Sequence, residues 1–447
     1  MTADRHHENT DTLIDALRDA IIDLGEKPSL VVSFSGGGDS SALLHAMAGL
    51  RESSGVELRA IHVNHGLHPD AKDWEQHCRD FAIQLGVAFT GVRVQVIDNG
   101  DGIESAARDA RYAALFAHTK KDEHIVLAQH RDDQAETVLL RLLRGSGVTG
   151  LSAMRAISER GGRRLWRPWL DQPRSLIDSY CRQHGIAFID DPANRDPRHS
   201  RSRLRQDVMP LLREHWPSAD AALSQSAALL ADDAERLMRL DRANLAIIQG
   251  LDPDTLSIPA LLALDAVERR GVLRAFLLER QAAPIPARVL ARLDELFDAK
   301  NEAEAKLDWA ATSLRRYRDR LHLCRPDAAS TAFPTEDWNG QAALSWGDGW
   351  QLRFEPPPAA ALSLRVASRG GGERLQLPGK SHSQDLNKLL QEAGVPPWQR
   401  GRLPLLWLID EDGPSLLAVG DLFRSQSLQA LESLHGARLR CQPPAPR

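Results

Sequence analysis

Cysteine is scarce in this chain, and long apolar segments are missing from it. The 447 residues include only four cysteines, Cys78, Cys181, Cys324 and Cys441, and no two of them have CxxC spacing. This argues against a zinc ribbon or a dithiol redox site. No stretch of about 18 apolar residues occurs, and the polar first residues lack the apolar core of a signal peptide. We therefore expect a cytoplasmic protein that does not enter a membrane.

An excess of positive charge is also missing. The chain has 56 basic and 61 acidic residues and a net charge of -5, which argues against a uniformly basic nucleic-acid-binding protein. Only eight of the basic residues are lysine. The arginine bias has two explanations, genomic base composition and recognition of phosphate by guanidinium groups, and the first is simpler for the chain as a whole. Length and composition indicate roughly two to four folded domains.

The first 190 residues alternate between strand-like and helix-like segments. The strand-like segments are Ser29–Phe34, Glu57–His65, Ala88–Ile97 and His124–Ala128. The helix-like segments are Asp39–Leu50, Pro69–Leu85, Glu104–His118 and Asp132–Leu143. This spacing predicts an α/β fold with a doubly wound parallel sheet. In such a sheet, ligands bind at the carboxyl ends of the strands.

A different pattern begins after a polar, turn-forming segment at residues 190–197. A short helix is predicted to resume near Arg203 and to stop around Pro210. The helices predicted after it are Pro217–Gly250, Ala260–Gln281 and Pro286–Phe297. We predict a catalytic α/β domain at residues 1–215, an α-helical domain at 216–325 and a small α+β domain at 345–435.

A glycine-rich loop directly follows the first predicted strand and opens the first helix. It consists of Ser35, Gly36, Gly37, Gly38, Asp39 and Ser40. Glycines let the backbone approach a ligand, amides at a helix start favour an anion, and serine hydroxyls can donate to phosphate oxygens. Asp39 would repel a phosphate unless Mg²⁺ lies between them. The alternative is a structural turn in which Asp39 caps the helix.

Two carboxylates follow the fourth predicted strand. Asp133 and Glu136 are three residues apart and share one helix face, which suits a pocket for an ammonium group with His130 at its rim. The alternative, favoured by spacing alone, is a capping box made by the same two carboxylates. The leucines predicted to be buried on the opposite face are Leu139, Leu140, Leu142 and Leu143.

Arginines are concentrated after this helix. Arg144 begins a glycine-rich loop at residues 144–151, and two arginine clusters follow. The first cluster, which also contains Trp166 and Trp169, consists of Arg155, Arg160, Arg163, Arg164 and Arg167. The second consists of Arg195, Arg198, Arg201, Arg203 and Arg205. Arginine mixed with aromatic rings suits RNA phosphates and unpaired bases, whereas a solvated protein face is the alternative.

Together these motifs resemble the tRNA(Ile)-lysidine synthetase family of N-type ATP pyrophosphatases. The matching segments are SGGGDS at 35–40, HVNHGL at 62–67, ESAARDARY at 104–112, AQHRDDQAET at 128–137, RGSGVTGL at 144–151, the stretch 190–212, GERLQLPG at 372–379 and GVPPWQRGRLPLL at 394–406. The resemblance is weaker between about 216 and 360. Ser202 stands where the family usually has asparagine.

The resemblance implies a two-step reaction on the minor isoleucine tRNA with a CAU anticodon. ATP adenylates the wobble cytidine and releases pyrophosphate, and free L-lysine then displaces AMP to give lysidine. It implies ATP and Mg²⁺ as cofactors, with Ser35–Ser40, His62 and Asn64 around the nucleotide and Asp39 on the metal. Asp133 and Glu136 are the expected lysine-binding or proton-accepting residues.

The resemblance also implies roles for arginines and for the later domains. Arg108, Arg111 and Arg144 would neutralise charge as AMP leaves. The helical and C-terminal domains would bind the tRNA, with Lys380, Arg400 and Arg402 beside Trp398 as contacts. The oligomeric state stays open and includes a homodimer. Three alternatives are a thiolating tRNA enzyme, which needs reactive cysteines, a small-molecule amide ligase, and an RNA-binding module without catalysis.

Overall fold

The structure is a computed structural model that describes residues 3–25, 27–97, 102–192, 196, 198–250, 252–298, 305–325, 333–411 and 413–444. The chain divides into two compact units, Met1–Leu237 and Met238–Arg447. This border falls inside the long helix Ala219–Ile248, whereas the sequence placed its first domain border near residue 215. In the described ranges, no helix has the length and apolar character needed to cross a bilayer.

A six-stranded sheet organises the first unit. Its strands are β1 (Ser29–Ser33), β2 (Glu57–Asn64), β3 (Ala88–Arg93), β4 (His124–Val126), β5 (Ile157–Arg160) and β6 (Arg163–Trp166). The order is β3-β2-β1-β4-β6-β5, and β5 is the antiparallel member. The predicted doubly wound parallel sheet is confirmed for β1 to β4, and the β5–β6 hairpin, which adds an antiparallel edge strand, is an addition that the sequence pattern did not reveal.

The connectivity places a ligand crevice next to β1. This strand pairs with β2 on one side and with β4 on the other, in the registers Val32↔Ala60 and Val32↔Val126. The chain therefore changes its direction of winding at β1. Loops at the carboxyl ends of strands on either side of such a switch point separate and leave room for a ligand.

Helices cover both faces of this sheet. They are α1 (Ala3–Ile22), α2 (Gly38–Ser54), α3 (Ala71–Gln84), α4 (Ile103–Ala117), α5 (Arg131–Leu143), α6 (Val148–Leu151) and α7 (Arg174–Gln183). Leu30 and Val32 pack into the core formed with α1, α2, α3 and α7, whereas Val31 packs with Leu115 of α4 on the opposite face. This alternation follows the two-residue period of a strand that is buried on both sides.

One helix was missing from the sequence prediction. The helix α1 precedes the first strand and buries Leu13, Leu17 and Ile21, which are four residues apart. Ile14 and Ala20 also pack against this core, so the second half of the helix carries a helical apolar pattern that the prediction overlooked.

The helical segment after residue 199 is longer than predicted. It consists of α8 (Ser200–Arg203), a π-helical turn (Leu204–Val208) and α9 (Met209–His215). The prediction that it stops at Pro210 is wrong, because Pro210 lies in the first turn of α9, where its missing N–H is not needed. Residue Arg195 of the second arginine cluster lies outside the described residues.

The second unit combines helices with a sheet. Its helices begin with the C-terminal part of α10 (Ala219–Ile248) and continue with α11 (Ile258–Leu262), α12 (Ala266–Glu279), α13 (Ala287–Leu290) and α14 (Leu293–Asp298). The long helix α10 is as predicted. An antiparallel sheet of order β7-β10-β9-β8 was not predicted; it contains β7 (Thr255–Ser257), β8 (Lys306–Trp309), β9 (Thr312–Tyr317) and β10 (Arg320–Cys324). The burial of β9 and β10 does not alternate, since Thr312, Ser313 and Leu314 are buried in succession and Arg315 and Arg316 follow half-buried, so these strands carry no period-two pattern.

The C-terminal part of this unit is α+β, as predicted. Its strands are β11 (Glu336–Trp338), β12 (Leu344–Trp346), β13 (Trp350–Glu355), β14 (Leu364–Ala367), β15 (Arg374–Leu375), β16 (Gln384–Asp385), β17 (Leu405–Asp410), β18 (Gly413–Val419), β19 (Phe423–Arg424) and β20 (Arg438–Gln442). Its helices are α15 (Leu386–Glu392), α16 (Pro397–Arg400) and α17 (Gln426–His435). Five of these strands form an antiparallel sheet of order β11-β14-β17-β18-β19.

Candidate active site

The glycine-rich loop lies where the sequence placed it, between β1 and α2. The Ser35 and Ser40 hydroxyls are 3.0 Å apart, and Ser40 Oγ donates to the Gly37 carbonyl at 3.0 Å. Gly37 is the N-cap of α2 and has no side chain to accept from the first helical amides. These amides and two hydroxyls therefore converge at a helix start, which is the arrangement that binds phosphate oxygens.

Gly36 fixes the path of this loop. Its φ is +84°, and a Cβ there would lie 2.5 Å from Ile189 Cδ1 and 2.7 Å from Cys78 Sγ. Its carbonyl accepts from the Ile189 amide at 2.9 Å and from Ser41 Oγ at 3.3 Å. Glycine is required here both by the left-handed backbone and by the close approach of two other segments.

Replacing Gly36 by alanine is expected to destabilise the first unit and to weaken ATP binding. The left-handed φ and the two short contacts together predict a loss of about 2–4 kcal/mol, because both loop and neighbours must shift. Thermal unfolding and equilibrium binding of ATP measure the two effects. Gly185→Ala is the matched control, since Gly185 has a φ of +59° but open space around it. Equal losses in the two variants would show that the contacts do not matter.

His62 and Asn64 lie at the carboxyl end of β2, but both are buried in internal contacts. His62 Nδ1 is 2.9 Å from the Phe34 carbonyl, and burial lowers the pKa of this imidazole despite that hydrogen bond. Asn64 donates to the Ala71 carbonyl and to Glu75, both at 3.0 Å. Each of these residues is only 6% exposed, so their side chains serve internal contacts at this end of β2.

Asp39 is the loop's carboxylate and faces two cationic partners. Its Oδ2 lies 3.7 Å from His130 Nε2, and its Oδ1 lies 3.9 Å from Arg174 Nε. Burial raises the pKa of Asp39, but His130, Arg174 and Arg205 outweigh it and bring the pKa below its usual value. Asp39 is therefore ionised at neutral pH.

His130 links the loop to the carboxylate helix. It is the N-cap of α5, and it forms a capping box with Asp133, whose carboxylate accepts from the His130 amide at 3.2 Å. The predicted alternative box between Asp133 and Glu136 is therefore wrong in its members, because α5 begins at Arg131. Burial lowers the pKa of His130, but Asp39, Asp133 and Asp132 raise it more strongly, so its pKa lies above the usual value.

Asp133 and Glu136 share one face of α5, as the spacing predicts, and two arginines engage both of them. Glu136 is only 1% exposed; its Oε1 lies 2.7 Å from Arg205 Nε, and its Oε2 lies 2.8 Å from Arg201 Nε. Arg205 also reaches Asp133 Oδ1 at 3.1 Å. Both arginines belong to the second predicted cluster, and their spacing of four residues matches the carboxylate spacing of three. That match was the signal in the sequence for this ion-pair network.

Leu142 and Leu143 do not follow the prediction. They are 54% and 78% exposed, whereas Leu139 and Leu140 pack partly against Leu204 and Met209. The last turn of α5 thus points its leucines to solvent.

Arg108, Arg111 and Arg144, here called the arginine wall, are linked by mutual repulsion: Arg108 acts on Arg111, and Arg108 and Arg144 both act on Arg141. Burial is the main cause that lowers the pKa of Arg111, and repulsion by Arg108 and Arg201 adds to it against an opposing effect of Tyr112. Burial likewise lowers the pKa of Arg141, with repulsion by Arg108 and Arg144. Arg141 was missed by the sequence; it donates to the carbonyls of Gly150 and Ala153 at 2.6 and 3.0 Å and so holds the loop after α5.

The first arginine cluster is mostly structural. Trp166 and Trp169 are buried in the core, so the predicted stacking of RNA bases on them is wrong. Arg167 is buried as well and donates to Gln129 and to the Arg155 carbonyl. In β6 both Leu165 and Trp166 are buried, on opposite faces of a sheet that helices cover on both sides, which a count of arginines and aromatics cannot reveal. Arg160 and Arg164 are the exposed members of this cluster, and Arg160 pairs with Asp109 at 3.0 Å.

The two cysteines of this region are inert thiols. Cys78 packs under Gly36, and burial raises its pKa to about 12; Cys181 lies 3.6 Å from the Gly38 carbonyl, and burial raises its pKa to about 11. A nucleophilic or iron-binding cysteine must be a thiolate. In the described ranges this region therefore offers no support for the thiolating alternative.

Comparison with known proteins covers most of the chain. A PP-loop domain model matches residues 9–212, a TilS substrate binding domain model matches 256–322, and a TilS substrate C-terminal domain model matches 364–441. The tRNA(Ile)-lysidine synthase of Xanthomonas campestris pv. campestris (strain 8004) is 42% identical over 424 residues, which are 93% of this chain and 96% of that protein. The chain belongs to the tRNA(Ile)-lysidine synthase family. A second member, from Alkalilimnicola ehrlichii, is 37% identical over 434 residues, 95% of each chain.

Membership of the lysidine synthase family confirms the resemblance in the motifs and identifies the chain as an enzyme with a PP-loop ATP-binding domain. Among solved structures, the tRNA thiolase NcsA of Methanococcus maripaludis matches 51% of this chain and 80% of its own, with 15% identity and a TM-score of 0.43. That likeness is too low to support any conclusion about function.

Proposed function

We propose that the chain ligates lysine to the wobble cytidine of the minor isoleucine tRNA with a CAU anticodon, at the expense of ATP and through an adenylated cytidine. The products are lysidine, AMP and pyrophosphate. The observation that carries this proposal is the junction of the phosphate-type loop with the Asp133–Glu136 helix through His130. Joined in this way, the anion-binding loop suits the phosphates of ATP, and the acidic face of α5 suits an amine beside them.

The loop residues would bind the phosphates of ATP. The α2 amides and the Ser35 hydroxyl would be the donors, with the Ser40 hydroxyl, which donates to the Gly37 carbonyl, holding the loop beside them. Asp39 is the residue that would hold Mg²⁺. The residues fit this ion, because Mg²⁺ takes one or two carboxylates and completes its shell with phosphate oxygens and waters. When bound, the ion would offset the negative charge of the phosphates beside the ionised Asp39 carboxylate.

Lysine would approach the carboxylate face of α5. Both Glu136 oxygens accept from Arg201 and Arg205 at 2.7–2.9 Å, and this carboxylate is 1% exposed. Asp133 is 15% exposed and is held at longer distances, by Arg205 at 3.1 Å and by the His130 amide at 3.2 Å, so it is the carboxylate that an ammonium group, or the proton that the attacking amine loses, would reach. Glu136 would then act as a positioning residue that holds the two guanidinium groups. The wall of Arg108, Arg111 and Arg144 would offset charge on the α-phosphate as AMP departs.

The second unit would contribute tRNA contacts. Two of the three predicted C-terminal contacts have internal partners: Arg400 donates to the Val395 carbonyl and the Tyr317 hydroxyl, and Arg402 pairs with Asp348. Lys380 is exposed and remains the candidate for a backbone phosphate. We place the reaction in the cytoplasm, where tRNA, ATP and free lysine are available together.

Release of pyrophosphate tests this function. The full chain is incubated with ATP, Mg²⁺ and transcribed tRNA, with and without lysine, and with a transcript whose wobble cytidine is changed to uridine. We expect pyrophosphate release with the cytidine transcript and none with the uridine transcript. Lysine should enter the tRNA only when all components are present. Pyrophosphate release with the uridine transcript would contradict the proposal. Repeated turnover that does not depend on lysine, with no lysine found in the tRNA, would contradict it too.

A further inference from the structure

Arg174 is a cation beside the phosphate loop that neither the motifs nor the proposed reaction assigns to a task. It opens α7, and its Nε lies 3.9 Å from Asp39 Oδ1 and 3.9 Å from Asp178 Oδ1. Both distances are too long for hydrogen bonds. Its Nε is shielded from solvent and has no acceptor within hydrogen-bond distance among the described residues. A buried donor without an acceptor, next to an anion-binding loop, points to an anionic ligand.

The position of Arg174 is fixed by its backbone and its neighbours. The Arg174 amide donates to Asp132 Oδ2 at 3.2 Å, and the Arg131 amide donates to the Gln172 carbonyl at 2.9 Å. Arg213 holds the other oxygen of Asp132 at 3.0 Å. The starts of α5 and α7 are thus joined by bonds in both directions, which keeps the residue that carries this guanidinium at the edge of the loop.

Arg174 also opens into a polar cleft of about 610 Å³. Its charged lining residues are Arg131, Asp132, Arg174, Asp178, Arg213 and Asp220. Arg131 donates to the Asp171 carbonyl, and Arg213 is bound by Asp132 and Asp220. Of the three arginines in this cleft, Arg174 is therefore the one whose Nε is free to serve a ligand, within the part of the chain that the structure describes.

The two oxygens of Asp39 face different parts of the first unit. On the Oδ2 side, His130 leads to Asp133, Glu136 and the arginine wall, where the cytidine and lysine would react. On the Oδ1 side, Arg174 leads to the cleft. We propose that Arg174 binds the β- and γ-phosphates of ATP and stays with the pyrophosphate as it leaves into this cleft.

This role rests on the proposed adenylation and assigns the leaving group of that step. The cytidine oxygen forms a bond to the α-phosphorus, the bond from the α-phosphorus to its bridging oxygen breaks, and the electron pair stays on the β-phosphate oxygen. A guanidinium at that oxygen offsets the charge that appears there. Arg174 would thereby favour both ATP binding and the forward cleavage.

Equilibrium binding of pyrophosphate and of AMP, each with Mg²⁺, tests the assignment on the full-length protein. Arg174→Gln is expected to weaken pyrophosphate binding by about 10- to 100-fold, the effect of losing a charge-assisted contact, while AMP binding stays within about twofold. Arg174→Lys should recover part of the loss. Arg182→Gln is the control, because Arg182 is exposed on the same helix and donates to the Ser179 hydroxyl. It should change neither the pyrophosphate affinity nor the AMP affinity.

A second pair of variants separates direct contact from action through Asp39. In an Asp39→Asn background, Arg174→Gln should still weaken pyrophosphate binding. Disappearance of the effect there would show that Arg174 only positions Asp39, and it would overturn the inference. Unchanged pyrophosphate affinity in Arg174→Gln, or equal losses for pyrophosphate and AMP, would overturn it too. A wild-type protein that binds neither ligand would refute the proposed adenylation itself.

Discussion

Asp39→Ala is expected to lower the rate of adenylation by about 10²–10³-fold, the scale on which one preorganised electrostatic contact acts. Asp39 is the carboxylate within the phosphate loop, and its lowered pKa keeps it charged at neutral pH. Without it, no loop carboxylate can hold Mg²⁺ against the phosphates. Pyrophosphate release in single turnover, without lysine, measures this step.

The tRNA affinity of Asp39→Ala should stay within about threefold of the wild type, because removal of one acidic group takes away no cation that binds the RNA backbone. Asp178→Ala is the matched control, since Asp178 is also a carboxylate 3.9 Å from Arg174 Nε but lies on α7 outside the loop. We expect it to retain adenylation. An equal loss of adenylation in Asp39→Ala and Asp178→Ala would mean that any negative charge near Arg174, and not specifically the loop carboxylate, controls adenylation.

The phosphate loop could be predicted because its signal is local. Three glycines after a buried strand, flanked by serines, require only neighbouring residues to be recognised, and the structure places the loop at the carboxyl end of β1. What encloses the loop could not be predicted. Cys78 and Ile189 reach Gly36 from α3 and from the segment after α7, and this proximity depends on how separate helices pack. Arg174 was missed for the same reason.

The carboxylate helix illustrates a second limit. The shared face of Asp133 and Glu136 follows from helix geometry, so their proximity was predictable. Their partners Arg201 and Arg205 lie 65 and 69 residues after Glu136, in a cluster that the sequence associated with RNA. Arginine composition alone cannot distinguish a guanidinium that binds a buried carboxylate from one that binds a phosphate, because both ligands present pairs of anionic oxygens that the planar guanidinium can bind with two parallel hydrogen bonds. Burial, which decides between them, is a tertiary property.

Glu136→Ala is expected to destabilise the first unit and, per folded molecule, to slow lysine transfer more than adenylation. The change leaves Arg201 and Arg205 without their main buried partner. Losses of about 3–5 kcal/mol are usual when a buried pair is broken, and we expect about 2–4 kcal/mol because these arginines are 31% and 32% exposed. Two guanidinium groups released toward Asp133 would then compete with the substrate ammonium for that carboxylate. Urea unfolding measures the first effect, and lysine incorporation into pre-adenylated tRNA measures the second.

The control for instability is Glu123→Ala. Glu123 is a buried carboxylate held by Arg59 at 2.7 and 2.8 Å, next to the amino end of β4 and therefore at the opposite edge of the sheet from the phosphate loop. The Glu123→Ala variant should lose a comparable free energy of unfolding, while its folded molecules keep wild-type rates of adenylation and lysine transfer. Equal loss of adenylation and lysine transfer in Glu136→Ala would show that Glu136 only supports the structure of the first turns of α5. An unchanged rate of lysine transfer would exclude Glu136 from that step. Removing the carboxylate that positions Arg201 and Arg205 must change the surroundings of Asp133, where the lysine amine is proposed to bind.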